Sequence, residues 1–297
     1  MKLNFNPAPN IYLSALNERR AKNTRRLKFI TSIVTLFTII TLYGNDVVNA
    51  TIALAQETEY EEDYDYIAEE GCNVLGISLY GEIGTYLDGY TITSSNSIRS
   101  ILEDYASHEN IKAILVDVDS GGGSVVAGDE ILNLLEEQEI PVVAHVRNMG
   151  ASAAYLAILS ADRIFVHPYG SVGSIGVISP LYDYSEHNQK EGIKYTPILS
   201  SPSKDAGSQD RPLTEEERKM FQADVDFIYD GFVNSVAKYR NLTKDQVLKL
   251  ADGNTYLGSV ALEAGLIDEV GGLGEVSAYI ANKIDETVSI CWINNLE

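Results

Sequence analysis

Basic side chains are nearly missing from most of this chain. Beyond Gln56 it carries fifteen Lys and Arg against forty-one Asp and Glu, a net charge of −26. A body that acidic repels phosphate, which excludes nucleic acid as a partner. Cysteine is scarce as well: Cys72 and Cys291 are the two in 297 residues, and their spacing fits no zinc pattern, so no metal is expected. In an oxidising compartment the two could pair across the body, or both could stay as buried thiols, and the sequence leaves both open. The glycines at 121–123 are followed by no Lys-Ser/Thr and match no G-x-G-x-x-G, so a nucleotide cradle is unsupported and no cofactor is expected. None of the four histidines, His108, His145, His167 and His187, stands in a loop beside an acid that suggests a catalytic triad.

The basic residues that do exist crowd the amino terminus. Seven Lys and Arg against two acids fall before Glu57, and six of them lie between Arg19 and Lys28. An uncharged run, Phe29 to Tyr43, follows at once. A basic flank before an apolar stretch is the pattern of a signal peptide or signal anchor with its positive side inward. Its 15 residues are short of the roughly 20 that span a bilayer. Ala53-Leu54-Ala55 offers a cleavage site, so a retained single-pass anchor and a cleaved, secreted form both remain open. Gln56 to Gly71 is acidic and tyrosine-dotted, and its like charges predict a solvated linker. The expected division is therefore a cytoplasmic basic segment at 1–28, a membrane segment at 29–44, a linker at 45–71 and a folded body at 72–297.

Within the body, strands alternate with helices, which predicts parallel βαβ units and an α/β fold. Strands are expected at 73–81, 111–118, 140–146 and 163–166, with helices over 93–109, about 126–138 and about 214–239. Gly170 to Ile178 reads as a tight turn feeding a buried strand. Met149-Gly150-Ala151-Ser152-Ala153-Ala154-Tyr155 follows a strand and opens a helix, which places Ser152 at a helix amino terminus. There a serine commonly serves as a plain cap. With small neighbours on both sides it can also act as a nucleophile that a substrate backbone can approach. The consecutive glycines after Val118 suit either a sharp turn or an oxyanion hole, since their N–H groups can face a carbonyl without side-chain obstruction.

A serine hydroxyl needs a base, and a desolvated lysine can serve. Lys204 lies in a polar loop, Ile198 to Pro212. Together, Asp119-Ser120-Gly121-Gly122-Gly123, the Ser152 segment, Gly173-Ser174-Ile175-Gly176-Val177-Ile178 and Ser203-Lys204-Asp205 closely resemble the signal peptide peptidase SppA family. The resemblance runs from Asn73 to about Ile284. It implies a Clp protease/crotonase-like fold of repeated ββα and βαβ units and a Ser–Lys dyad. Ser152 falls on the nucleophile and Lys204 on the general base. Gly122, Gly123 and Ala153 fall where the oxyanion and substrate are expected to be held. Gly121, Asp119 and Asn254 depart from residues frequent in the family (proline, asparagine and arginine), as do Ala153 and Ala154 after the serine.

The function implied is a membrane-associated serine endopeptidase that acts outside the cytoplasm on hydrophobic peptides such as signal-peptide remnants. A homo-oligomeric ring of about eight subunits is implied too, with the serine of one subunit meeting the lysine of the next. A phage-type capsid-maturation protease shares the dyad, but has no use for an export signal. A crotonase-like acyl-CoA enzyme is disfavoured by export and by the acidic surface.

Overall fold

The computed structural model describes residues 71–88 and 91–293. The basic segment, the membrane segment and nearly all of the linker lie outside the described residues. No described helix is long and apolar enough to cross a membrane.

Among the described residues nine strands form one sheet. The long ones are β1 (Val74–Gly84), β3 (Ala113–Gly123) and β4 (Val142–Ala151), and the short ones near them are β2 (Thr91–Ser94) and β5 (Arg163–Val166). The remainder are β6 (Ser171–Gly173), β7 (Thr255–Leu257), β8 (Glu269–Val270) and β9 (Ile290–Ile293). The order β2-β1-β3-β4-β5-β8 is parallel throughout. The antiparallel pairing is β6 with β7, on the end of β4. The parallel core follows from the near-continuous Val/Ile/Leu runs of β1, β3 and β4, which read as strands buried on both faces.

Helices cover the two faces unequally. One face carries α1 (Ser95–Tyr105), α2 (Val125–Glu136), α3 (Ala153–Ala157) and α5 (Glu215–Arg240), packed on the large apolar cluster. The other carries α8 (Leu273–Ile284), whose Val276 and Ile280 meet Leu115, Val143 and Phe165. The short helices α4 (Ser185–Lys190), α6 (Lys244–Leu248) and α7 (Gly258–Glu263) complete the set among the described residues. Serine and threonine side chains cap the amino termini of α1, α2, α5 and α6. Ser94 accepts from the Ser97 N–H at 3.0 Å, and Thr214 and Glu217 bond reciprocally at the head of α5.

Three expectations are corrected. Thr93 and Ser94 belong to β2, and α1 ends at Tyr105, short of the predicted 109. The glycines at 121–123 continue β3 and do not form a separate turn after it. No buried strand follows Gly173. Ile175 is buried, but 178–184 are exposed coil, because no neighbouring strand is there to pair with them.

Cys72 and Cys291 form a disulfide, with Cα atoms 5.7 Å apart. The reason is topological. β9 pairs in parallel with the start of β1, Leu75 opposite Cys291, and so brings the two ends of the body together.

Candidate active site

Strand β4 changes partners along its length and so delivers Ser152. Val143–Val146 pair with β5, whereas Met149–Ala151 pair with β6. The chain then turns sharply at Ser152, which has φ 53° and ψ −125°. A non-glycine residue with positive φ costs on the order of 1–3 kcal/mol and persists only where its surroundings fix it. Here the Ser152 N–H donates to Gly173 O at 2.8 Å, and the Ser152 carbonyl accepts from Leu156 N–H at 3.0 Å. The hydroxyl makes no capping bond, so the plain-cap reading of Ser152 fails. Behind it, Tyr155 is fully buried and its hydroxyl donates to Leu266 O at 2.6 Å, which pins α3 to the rest of the body. Burial pushes that phenol well above its ordinary pKa, so it stays protonated and keeps donating.

The glycine segment of β3 meets this turn at one point. Gly122 has φ +105°, and a Cβ there would lie 2.8 Å from Ala151 O and 2.9 Å from both Ala153 N and Ser152 Cβ. No side chain fits. Ala153 occupies the first helical position, where its N–H has no intrahelical acceptor. Gly123 faces elsewhere: a Cβ on it would come 2.2 Å from Ile83 O, so it serves the close approach of β1 and β3. Ser120, 2 % exposed, locks the segment, donating to Gly81 O at 2.5 Å and accepting the Gly122 N–H at 3.0 Å. Gly128 brings α2 onto α3, since a Cβ there would stand 2.7 Å from Ala153 O. Ser120, Gly128 and Gly173 were not singled out from sequence as site residues. Their signal is a small residue at a close approach, which is legible only once the strands are paired. Asn254, the departure noted above, supplies its carbonyl to Ser174 N–H at 2.7 Å and its amide to Asp252.

Lys204 lies apart. It sits exposed in a single 3-10 turn, Pro202–Asp205, and no hydrogen bond or ion pair links it to Ser152 within the described residues of one chain. Its loop is nevertheless anchored. Arg211 binds the Asp205 carboxylate through Nε and Nη2, both at 3.0 Å, and reaches Glu217 at 2.9 Å through Nη1. That guanidinium holds Asp205 below the ordinary carboxylate range, and with the Thr214 N–H it holds Glu217 at about 2.

One histidine does meet an acid. His145 Nδ1 lies 2.7 Å from Asp117 Oδ1, both side chains 4 % exposed, on adjacent strands in register. The pairing escapes a search of loops because both residues are strand residues. By strand alternation the pair lies on the α8 face, with Leu115 and Val143, whereas α3 packs in the opposite cluster. Asp117 also accepts from the Tyr80 hydroxyl, and burial, followed by that bond, raises the phenol's pKa.

Residues 135–286 match the family model described as peptidase family S49, a span that includes Ser152, Ala153 and Lys204 but not the 119–124 segment. A protein of Methanocaldococcus jannaschii provisionally named a protease is 38 % identical over 174 residues, which is 58 % of this chain and 56 % of that one. An Enterococcus faecium protein provisionally named signal peptide peptidase SppA is 36 % identical over 177 residues, 59 % of this chain and 50 % of its own. The matched region thus spans about half the length of these relatives. Among solved structures, a ClpP1 mutant from Listeria monocytogenes aligns with 66 % of this chain and 91 % of its own at 18 % identity and a TM-score of 0.46, too distant to build on. The ordered motifs and the matched span agree: the chain belongs to peptidase family S49, alongside the signal peptide peptidase SppA proteins.

Proposed function

We propose that this protein is a Ser–Lys serine endopeptidase, held at or exported across a membrane, that hydrolyses hydrophobic peptides such as signal-peptide remnants. The observation that carries the reading is the Ser152 turn: a strained nucleophile whose hydroxyl caps nothing, seated against Gly122 and followed by the Ala153 N–H. In this mechanism Ser152 Oγ attacks the peptide carbonyl while the neutral Lys204 amine takes its proton. In this reading the Ala153 N–H, which has no intrahelical acceptor, faces the developing oxyanion, and Gly122 leaves room for it. Collapse of the tetrahedral adduct breaks the C–N bond, and Lys204 returns the proton to the leaving amine. Water then hydrolyses the acyl-serine by the same exchange.

The Lys204 of a neighbouring subunit meets Ser152 in this reading, within a head-to-tail ring built on the family's Clp protease/crotonase-like fold. The segment from 178 to 204 supports it, since it is exposed over most of its length, with Ile178 at 84 % and Ile198 at 99 %. Apolar side chains that exposed gain by burial against another copy. Burial there would also desolvate Lys204. The Cys72–Cys291 disulfide supports an oxidising location outside the cytoplasm. The basic cluster and apolar run at 19–43 support delivery there.

A fluorophosphonate probe tests the reading. Wild type is expected to label on Ser152, with no labelling in Ser152→Ala. Labelling that survives in Ser152→Ala would refute the assignment.

A further inference from the structure

A cleft of about 490 Å3 opens between the carboxyl ends of β3, β4 and β5 and the start of α8. His145, 3 % exposed, forms part of its wall. Because Nδ1 is bonded to the Asp117 carboxylate at 2.7 Å, that nitrogen carries the proton. Nε2 is left buried and meets no hydrogen-bonding partner among the described residues. Such an atom needs a ligand or a proton to satisfy it.

The rest of the wall is rich in donors. His167 Nδ1 accepts the Tyr169 N–H at 3.2 Å, which fixes its own proton on Nε2. Arg147 is half exposed and stands 3.7 Å from Asp117, with its guanidinium 5.8 Å from the centre of the Tyr80 ring. The N–H groups of Leu273 and Gly274 open a helix of 12 residues and have no intrahelical acceptors. Two carboxylates oppose them: Asp119 on β3, and Glu275, which closes on the Gly272 N–H at 2.9 Å. Farther along this face Arg163 and Glu269 neutralise one another at 2.6 Å.

We propose that this cleft binds a carboxylate, at a site separate from the Ser152 turn, with Arg147, His167 Nε2–H and a protonated His145 Nε2–H as its donors. The planar guanidinium matches a planar monoanion. A dianionic phosphate would set a second negative charge against Asp119 and Glu275. Because Nδ1 already holds a proton, Nε2 can donate only after the ring takes up a second one. Binding therefore draws one proton from solvent, and the imidazolium sits between two carboxylates, Asp117 and the ligand. None of this depends on the peptidase reading.

The test titrates the full-length protein with N-acetyl-alanyl-alanine, its C-terminal amide, acetate and inorganic phosphate, by calorimetry in two buffers of different ionisation enthalpy. Ring-nitrogen NMR of His145 is followed in parallel. The expected result is binding of the peptide acid or acetate but not the amide, uptake of about one proton, and a matching shift of Nε2. Preference for acetate would point to free organic acids, and preference for the peptide acid to peptide carboxyl termini. Arg147→Met, at an exposed position, is expected to weaken binding about 10- to 100-fold. His145→Gln is expected to abolish the proton uptake. Should that buried variant fail to fold, Arg147→Met and the wild-type ring signals still decide. Equal binding of acid and amide, a preference for phosphate, carboxylate binding without proton uptake, or no binding at all would overturn the proposal.

Discussion

Gly122 packs against Ser152 with no room for a side chain between them: a β-carbon on the glycine would stand 2.9 Å from Ser152 Cβ, and the glycine's φ of +105° admits no other residue without strain. Two segments thirty residues apart in sequence thus fix each other. The end of β3 packs against the serine's turn, and that turn leaves room at Gly122 for nothing larger than hydrogen.

Gly122→Ala should therefore cost on the order of 2–4 kcal/mol, from positive-φ strain plus overpacking. Loss of probe labelling at Ser152 should exceed the loss of fold measured by urea denaturation. Wild-type labelling in a stable Gly122→Ala protein would contradict the contact.

Lys204→Arg keeps the charge but cannot supply a neutral base, because guanidinium does not deprotonate in proteins. Peptide hydrolysis should fall to the level of Lys204→Ala. Near-normal turnover in the arginine variant would remove Lys204 from the mechanism. Mixed assemblies of Ser152→Ala and Lys204→Ala should regain activity if the pair is shared between subunits. Persistent inactivity in proven mixed rings would place both groups in one chain.

Tyr155→Phe leaves the Leu266 carbonyl buried without its donor. The expected destabilisation is about 1–3 kcal/mol, read as a shift of the urea midpoint at unchanged slope. A neutral result would mean that Leu266 finds another partner.

The Arg211 anchor gives a pH dependence with a definite sign. Asp205 and Glu217 have folded pKa values below their ordinary ones, Glu217 moving from 4.5 to about 2. Groups shifted downward stabilise the folded state above their unfolded pKa and lose that contribution as pH falls through the folded one. Hydrogen exchange in the 198–213 loop, corrected for intrinsic rates, should therefore accelerate between about pH 4.5 and about 2. Arg211→Gln should move the onset upward. An unchanged profile in that variant would disprove the coupling.

The disulfide closes nearly the whole body, across a sequence separation of 219 residues. Cys291→Ser should cost about 3–5 kcal/mol in denaturant unfolding, from the larger entropy of the open unfolded chain. Two titratable thiols in the protein purified under oxidising conditions would show the bond is not formed.

What the sequence determined by itself was local in physical character. The strand cores at 113–118, 142–146 and 163–166, the α5 helix with its Thr214 cap and the position of Ser152 after β4 are written in runs of apolar residues, caps and small residues within a few positions of one another. Even the local pattern misled where an apolar stretch lacked a partner strand, as at 176–178, because strand formation is decided by pairing and not by propensity. Only the tertiary structure decided which atoms meet. It put Gly122 against Ser152 but Gly123 against Ile83, through the register of β3 with its two neighbours. It paired Asp117 with His145 across adjacent strands, and Cys72 with Cys291 across almost the full chain. It also left Lys204 exposed on its own loop, without a bond to Ser152 in the single chain. Such contacts depend on strand register and chain closure, which are sums over many distant residues, and no short stretch of sequence carries them.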